Sequence, residues 1–83
     1  MQILYFAWVR EKIGRAGDDI ALPPGVTDIA GLMRHLAALG PGHAAAFANP
    51  TAIRAAINQD FARPEDAVTN GDEVAFFPPV TGG

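Results

Sequence analysis

Apolar residues fill every position from Ile3 to Val9, a run of seven in which aromatic and β-branched side chains predominate. That composition at that length predicts a central strand over residues 1–9, buried on both faces. Alternation would place Ile3, Tyr5, Ala7 and Val9 on one face and Leu4, Phe6 and Trp8 on the other. The charged stretch 10–17, with Gly14 and Gly17, predicts a turn. A second strand is expected over 18–22, where Ile20 and Leu22 alternate with polar or small neighbours, hairpinned to the first.

Pro23, Pro24 and Gly25 then break the sheet, and Thr27 or Asp28 offers a side-chain oxygen to cap a helix. Ile29, Leu32, Met33, Leu36 and Leu39 follow at spacings of 3, 1, 3 and 3, which draws one stripe on an α-helix. Gly40 and Pro41 stand where a C-terminal glycine and a following proline would stop it. Residues 42–50 are alanine-rich and read as a short helical turn or loop, with Asn49-Pro50 as a breaker. A half-buried strand is expected over 51–58, with Ile53, Ala55 and Ile57 inward. Residues 64–67 read as a turn. Asn70-Gly71 predicts a type I′ turn leading into a strand over 73–77. The order is β-β-α-β-(β)-β, an α+β domain whose mixed sheet of four to five strands carries one main helix on one face. One helix covers one face, yet the first strand is apolar on both and the last repeats this with Val74 and Phe76 against Ala75 and Phe77, so the uncovered face is expected to dock a partner unless loops 41–50 and 59–68 fold over it.

With 83 residues there is material for one core only, which predicts a domain over 1–77 and an extended tail over 78–83. Cysteine is absent, which excludes a disulfide framework, a zinc ribbon, an iron–sulfur cluster and a cysteine nucleophile together. Six Lys and Arg against nine Asp and Glu leave a net charge of −3, unsuited to a nucleic-acid partner. The seven-residue apolar run is far short of the roughly 20 residues needed to cross a bilayer. No secretory signal pattern is read at the N-terminus, so no membrane association and a cytoplasmic location are expected.

Little else in the chain suggests chemistry. His35 flanks the helical stripe and His43 sits in a loop, neither with a second ligand or nucleophile at useful spacing; both read as packing or surface residues. The pairs Asp18-Asp19, Glu65-Asp66 and Asp72-Glu73 fall at strand starts and turns, where solvated carboxylates are ordinary, and no metal site is expected. Glycine-rich phosphate loops are missing.

The C-terminus is different. Pro78 and Pro79 lack an amide donor and fix φ, so the chain leaves the last strand stiff and extended. At ~3.3 Å per residue, Pro78 to Gly83 reach about 20 Å and end in two residues without side chains and a free carboxylate. Two terminal glycines arise by chance in about half a percent of chains at ~7% glycine usage, and a frayed end would not open with exposed Phe and Val.

The segment Asn70-Gly71-Asp72-Glu73-Val74-Ala75-Phe76-Phe77-Pro78-Pro79-Val80-Thr81-Gly82-Gly83 resembles the terminal motif of the small, sulfur-carrying subunits of molybdopterin synthase, within the ubiquitin-like β-grasp sulfur carriers. Leu4-Tyr5-Phe6-Ala7 with Val9-Arg10-Glu11 and Gly14 is similar to that family's opening, and Ala55-Ala56-Ile57-Asn58-Gln59 to its middle strand and turn. Asn70 stands where Asp is common.

The resemblance implies a β-grasp fold and a protein that is not an enzyme on its own. It implies that the Gly83 carboxylate is activated to an acyl-adenylate by an ATP-dependent, ubiquitin-activating-enzyme-like adenylyltransferase. Sulfur from a persulfide donor then gives a thiocarboxylate, which delivers sulfur to a cyclic pyranopterin precursor in the large synthase subunit, within a tetramer of two small and two large subunits. ATP is consumed by the partner and no cofactor is held permanently. Thr81 and Gly82 are expected to thread the partner's tunnel, and Phe77, Pro79, Val80 and Arg10 to dock against it. A thiamine-pathway sulfur carrier, an archaeal-type protein modifier and a β-grasp adaptor with incidental glycines stay open as alternatives.

Overall fold

The computed structural model describes residues 1–79 and shows a five-stranded sheet in the order β2-β1-β5-β3-β4. Its strands are β1 (Gln2–Tyr5), β2 (Gly17–Asp19), β3 (Arg54–Ile57), β4 (Asp60–Ala62) and β5 (Glu73–Phe77). The central pair β1–β5 is parallel, with Gln2 opposite Glu73 and Tyr5 opposite Phe76; every other pairing is antiparallel.

The opening apolar run is not one strand. β1 ends at Tyr5, the backbone of Ala7 turns to φ +54°, and helix α1 occupies Ala7–Ile13. Val9 is buried in the core and Ile13, one turn on, packs against it together with Trp8, so these side chains are helical core residues and not the faces of a sheet. Gly14 closes α1 at φ +91°, its amide bonding the Arg10 carbonyl at 2.8 Å. The second strand is also shorter than expected. The register that pairs Gln2 with Asp19 brings Ile20 to Met1, and the Leu22 amide turns away to the Asn70 side chain at 2.6 Å.

Helix α2 (Ile29–Ala37) starts at Asp28, whose carboxylate accepts from the Gly31 amide at 2.8 Å. Ile29, Leu32, Met33 and Leu36 face the core as their spacing predicts. The helix ends earlier than the apolar stripe. Ala38 and Leu39 donate to His35 and Leu36 in a tightened last turn, which leaves Leu39 44% exposed, and Gly40 has an extended backbone in place of a left-handed one. The alanine-rich segment forms helix α3 (Pro41–Ala46), followed by a 3₁₀ turn over Pro50–Ala52. α3 lies against α1 through Gly42, where an added Cβ would sit 2.7 Å from the Lys12 carbonyl oxygen.

The type I′ turn is not at Asn70-Gly71. Asn58 and Gln59, at φ +50° and +72°, form the two-residue connection that pairs Ile57 with Asp60 and creates β4. β5 has no hairpin partner before it, because its neighbours are β1 and β3. Asn70 instead ties two loops together by accepting from Leu22.

All the large buried side chains belong to one cluster between the sheet and the helices. Ile3, Tyr5, Val74, Phe76 and Ala55 supply the sheet side, and α1, α2 and α3 close over them. Tyr5, Phe47 and Phe76 meet edge to face, with centroids 6.4 and 5.2 Å apart.

Candidate functional site: the tail root and the open sheet face

Because β5 lies between β1 and β3, the chain leaves the sheet from the middle of one end. Phe76 is completely buried and its carbonyl accepts from the Phe6 amide at 3.1 Å. Phe77 sits opposite Arg54 in the ladder. The tail root is thus held on both sides. Of the residues expected to dock, Phe77 is half-buried and Pro79 exposed. Arg10 is exposed on α1 at the same end, its amide bonded to the Phe6 carbonyl at 3.4 Å. Val80, Thr81, Gly82 and Gly83 lie outside the described residues.

The sheet face away from the helices is open. Ladder pairing sets Leu4, Ala75, Ala56 and Phe61 in one row across four strands, and Phe77 in the next. Phe61 is 81% exposed, and its ring lies 6.0 Å from that of Phe77. Phe6, 48% exposed, follows Tyr5 at the edge of the tail root. Segment 41–50 does not cover this face, since His43, Ala46 and Phe47 point into the core on the opposite side, and segment 59–68 places Phe61 on it. Exposed aromatic side chains gathered in this way are the kind of surface enriched at protein–protein contacts. Sequence reasoning missed Phe61 as a member and set Phe6 within a strand face beside Leu4 and Trp8, whereas Phe6 lies just beyond the end of β1. The alternation Asp60-Phe61-Ala62 after a two-residue turn was the available signal for Phe61.

The polar interior is a single satisfied cluster. Asp18 Oδ2 accepts from the Tyr5 hydroxyl at 2.8 Å and lies 2.8 Å from His43 Nε2, while Oδ1 accepts from Arg15 Nε at 2.6 Å. Burial acts to raise the Asp18 carboxyl, but hydrogen bonds from His43, Tyr5 and Arg15 together outweigh it and hold it below the ordinary aspartate range. Burial, and then the bond to Asp18, push the Tyr5 phenol well above its usual value. Asp18 is therefore not a solvated carboxylate but the centre of a packing cluster. His43 sits in α3 and not in a loop, buried as a packing residue. Asp72, by contrast, accepts from Thr69 and Asn58 at the surface, and the Thr69 amide chiefly lowers its carboxyl. Among the described residues, no group of three His, Asp or Glu is placed to hold a metal ion, and no helix is long and apolar enough to cross a membrane.

A mixed five-stranded sheet gripping its helices on one face, with the tail leaving its central strand, defines a ubiquitin-like β-grasp protein. The crystal structure of SAMP1 from Haloferax volcanii matches it with a TM-score of 0.74 at 25% identity, covering 100% of this chain and 98% of that one. The sequence matches the ThiS family over residues 3–83, and the chain belongs to that family. It is 39% identical to the molybdopterin synthase sulfur carrier subunit of Escherichia coli (strain K12) and 43% identical to that of Haemophilus influenzae, in each case over 83 residues covering all of this chain and 99% of the relative.

Proposed function

We propose that this chain is the sulfur carrier of molybdopterin synthase, with sulfur held at the carbonyl carbon of Gly83. The observation that carries this reading is full-length similarity to proteins of that name, with a terminal Gly-Gly in this chain. A carboxylate is a poor electrophile. Attack of the Gly83 carboxylate on the α-phosphate of ATP, in an adenylyltransferase partner, releases pyrophosphate and leaves a mixed anhydride. Sulfur from a persulfide donor then bonds to the carbonyl carbon as AMP departs, and reduction of the sulfur–sulfur bond by a donor-side thiol leaves the thiocarboxylate. That group is anionic at neutral pH and nucleophilic, so it attacks the pterin side chain without a base from this chain. Catalytic groups, including those that bind the precursor, belong to the large subunit, in a tetramer of two small and two large chains.

The body of the domain supplies position. A root held between Phe6 and Arg54 gives the tail a fixed point of departure, which limits the ordering required when it enters a partner. Phe77, with the exposed Phe61 beside it, gives the large subunit an apolar footing, while Pro79 and Val80 extend it along the tail. Arg10 offers a cation at the same end. Thr81 and Gly82 occupy the narrow passage.

Intact-mass measurement of the protein purified from cells carrying the pathway tests this. A population heavier by the difference between sulfur and oxygen, lost on deletion of Gly83, is expected. Its absence in the presence of activating enzyme, ATP and a sulfur donor overturns the reading.

A further inference from the structure

The open face carries opposite charge at its two ends. The row of Phe77, at the tail end, holds Arg54 directly opposite it, and the alternation that puts Phe61 on this face puts Arg63 there too. On the other side of the middle row of Leu4, Ala75, Ala56 and Phe61, Gln2 pairs with both Glu73 and Asp19, which sets two carboxylates on the same face. At ~3.3 Å per residue, each charged row lies about 7 Å from the middle one. The face is therefore an apolar band with a cationic border at the tail end and an acidic border at the other.

These charges are not neutralised within the chain. Among the described residues, Arg54 has no carboxylate within 4 Å and Glu73 no cation. Arg54 Nη1 donates to the Thr51 and Ile53 carbonyls at 2.9 and 3.3 Å, which leaves Nε and Nη2 available. Arg63 lies 3.9 Å from Glu65, and Asp19 3.8 Å from the terminal ammonium, but Arg63, Glu65 and Asp19 are largely exposed, so both pairs hold weakly. One copy cannot pair Arg54 with Glu73, because Arg54 stands opposite Phe77, at the other end of β5.

A surface that is positive at one end and negative at the other is complementary to itself when a second copy is turned end for end. A two-fold axis along the middle row does this. It lays Leu4, Ala75, Ala56 and Phe61 on their own counterparts and each cationic row over the acidic row of the other copy. Ala75 and Ala56 keep the middle low enough for a second sheet to approach at the ~10 Å usual for stacked sheets, and Phe61, 81% exposed, gains an apolar neighbour. An axis parallel to the strands would set arginine on arginine.

We propose that the open face binds a second copy of this chain in an isologous dimer, with Arg54 of each copy against Glu73 of the other. The dimer covers Phe61 and Phe77, so it and the large subunit of the proposed function exclude one another; it rests on the face alone and not on chemistry at Gly83. A net charge of −3 on each copy opposes association. The face offers roughly ten residues a side against the ~20–30 of a standard interface, so a dissociation constant above about 1 μM is expected.

Sedimentation equilibrium of the full chain alone, from micromolar to millimolar concentration, tests this. The mass is expected to rise from 8.7 kDa towards twice that value. Arg54→Glu and Glu73→Arg should each weaken association about tenfold, since each turns two attractions into repulsions, and the double variant should return to within about threefold of the parent. Thermal melts accompany the variants, and Phe61→Ser, also expected to weaken the dimer, serves if a charge reversal does not fold. A monomer throughout, a dimer that neither reversal nor Phe61→Ser weakens, or a folded double variant as weak as the single ones would each overturn the proposal. Association found only when the large synthase subunit is added would assign the face to that subunit and overturn it as well.

Discussion

Asp18 and His43 are 25 residues apart in the chain and 2.8 Å apart in space, Oδ2 to Nε2, which ties strand β2 to helix α3. Tyr5 of β1 donates to the same oxygen, so one carboxylate fastens three elements. The Asp18 carboxyl is held below its unfolded value of ~3.9, so its contribution is present in full above that pH and is lost as pH falls through the folded value. Asp18→Asn is expected to lower stability by about 2–3 kcal/mol at pH 7. It should also flatten the loss of stability below about pH 4. Urea melts of both proteins between pH 3 and pH 7 check this, and parallel acid limbs would show that another group carries the sensitivity.

Gln59 holds φ +72° without being glycine. The left-handed region costs an L-residue about 1–2 kcal/mol, and relief of that strain is partly offset by the freer unfolded chain that glycine brings. Gln59→Gly is therefore expected to stabilise the β3–β4 hairpin by about 0.5–1 kcal/mol. A denaturant midpoint unchanged or lowered at constant slope would count against the turn as described.

Helices α1 and α3 touch through backbone at Gly42, and a Cβ there would meet the Lys12 carbonyl oxygen at 2.7 Å and the Ile13 Cα at 3.2 Å. Neither neighbour is a flexible side-chain end. Gly42→Ala should cost about 1–3 kcal/mol by forcing the helices apart. A melting temperature equal to that of the parent would mean that the two helices separate easily.

The parts of the fold legible in the sequence are those whose signal is local and repeated. The α2 stripe and the alternation in β3 and β5 each carry several agreeing positions. β1 was overextended because Phe6 and Trp8 fill the gaps between Val9 and its helical neighbours, and an apolar run hides the 3.6-residue period. Asn70-Gly71 outranks Asn58-Gln59 as a turn signal because it contains glycine, yet sheet order sends β5 between β1 and β3, where no hairpin precedes it. The Asp18–His43 contact is long-range, and no spacing rule connects residues that meet only after β1, α1 and α3 have packed. Of the candidate site, the place of Phe77 at the end of the last strand was legible from the apolar pattern. Phe61 was not, since one exposed aromatic gains meaning only from the Phe77 ring 6.0 Å away.

Phe61 separates docking from folding. At 81% exposure it contributes little to the core, so Phe61→Ser should change stability by less than about 0.5 kcal/mol. Under the proposed function it lies beside the tail root on the contacting face, and aromatic anchors dominate such interfaces. Affinity for the large synthase subunit, measured by calorimetry with the full chains, is expected to fall about tenfold or more. Unchanged affinity would move the interface off the open face.

The double glycine has its own test. Residues 82 and 83 follow a domain whose core is complete by Phe76, so side chains added there should leave the melting temperature where it is. Under the proposed function the partner's passage is shaped around a chain without Cβ atoms and has no room for a branched one, and a misplacement of about 1 Å can reduce a reaction rate by 10²-fold. Gly82→Val is thus expected to fold normally, to bind the adenylyltransferase or the large subunit more weakly, and to lose sulfur transfer. Single-turnover transfer from thiocarboxylated protein to the precursor, beside a thermal melt of the same sample, reads both quantities. A variant that melts normally and transfers sulfur at the parent rate would leave the glycine at 82 without a role in threading, while the chemistry assigned to Gly83 would stand.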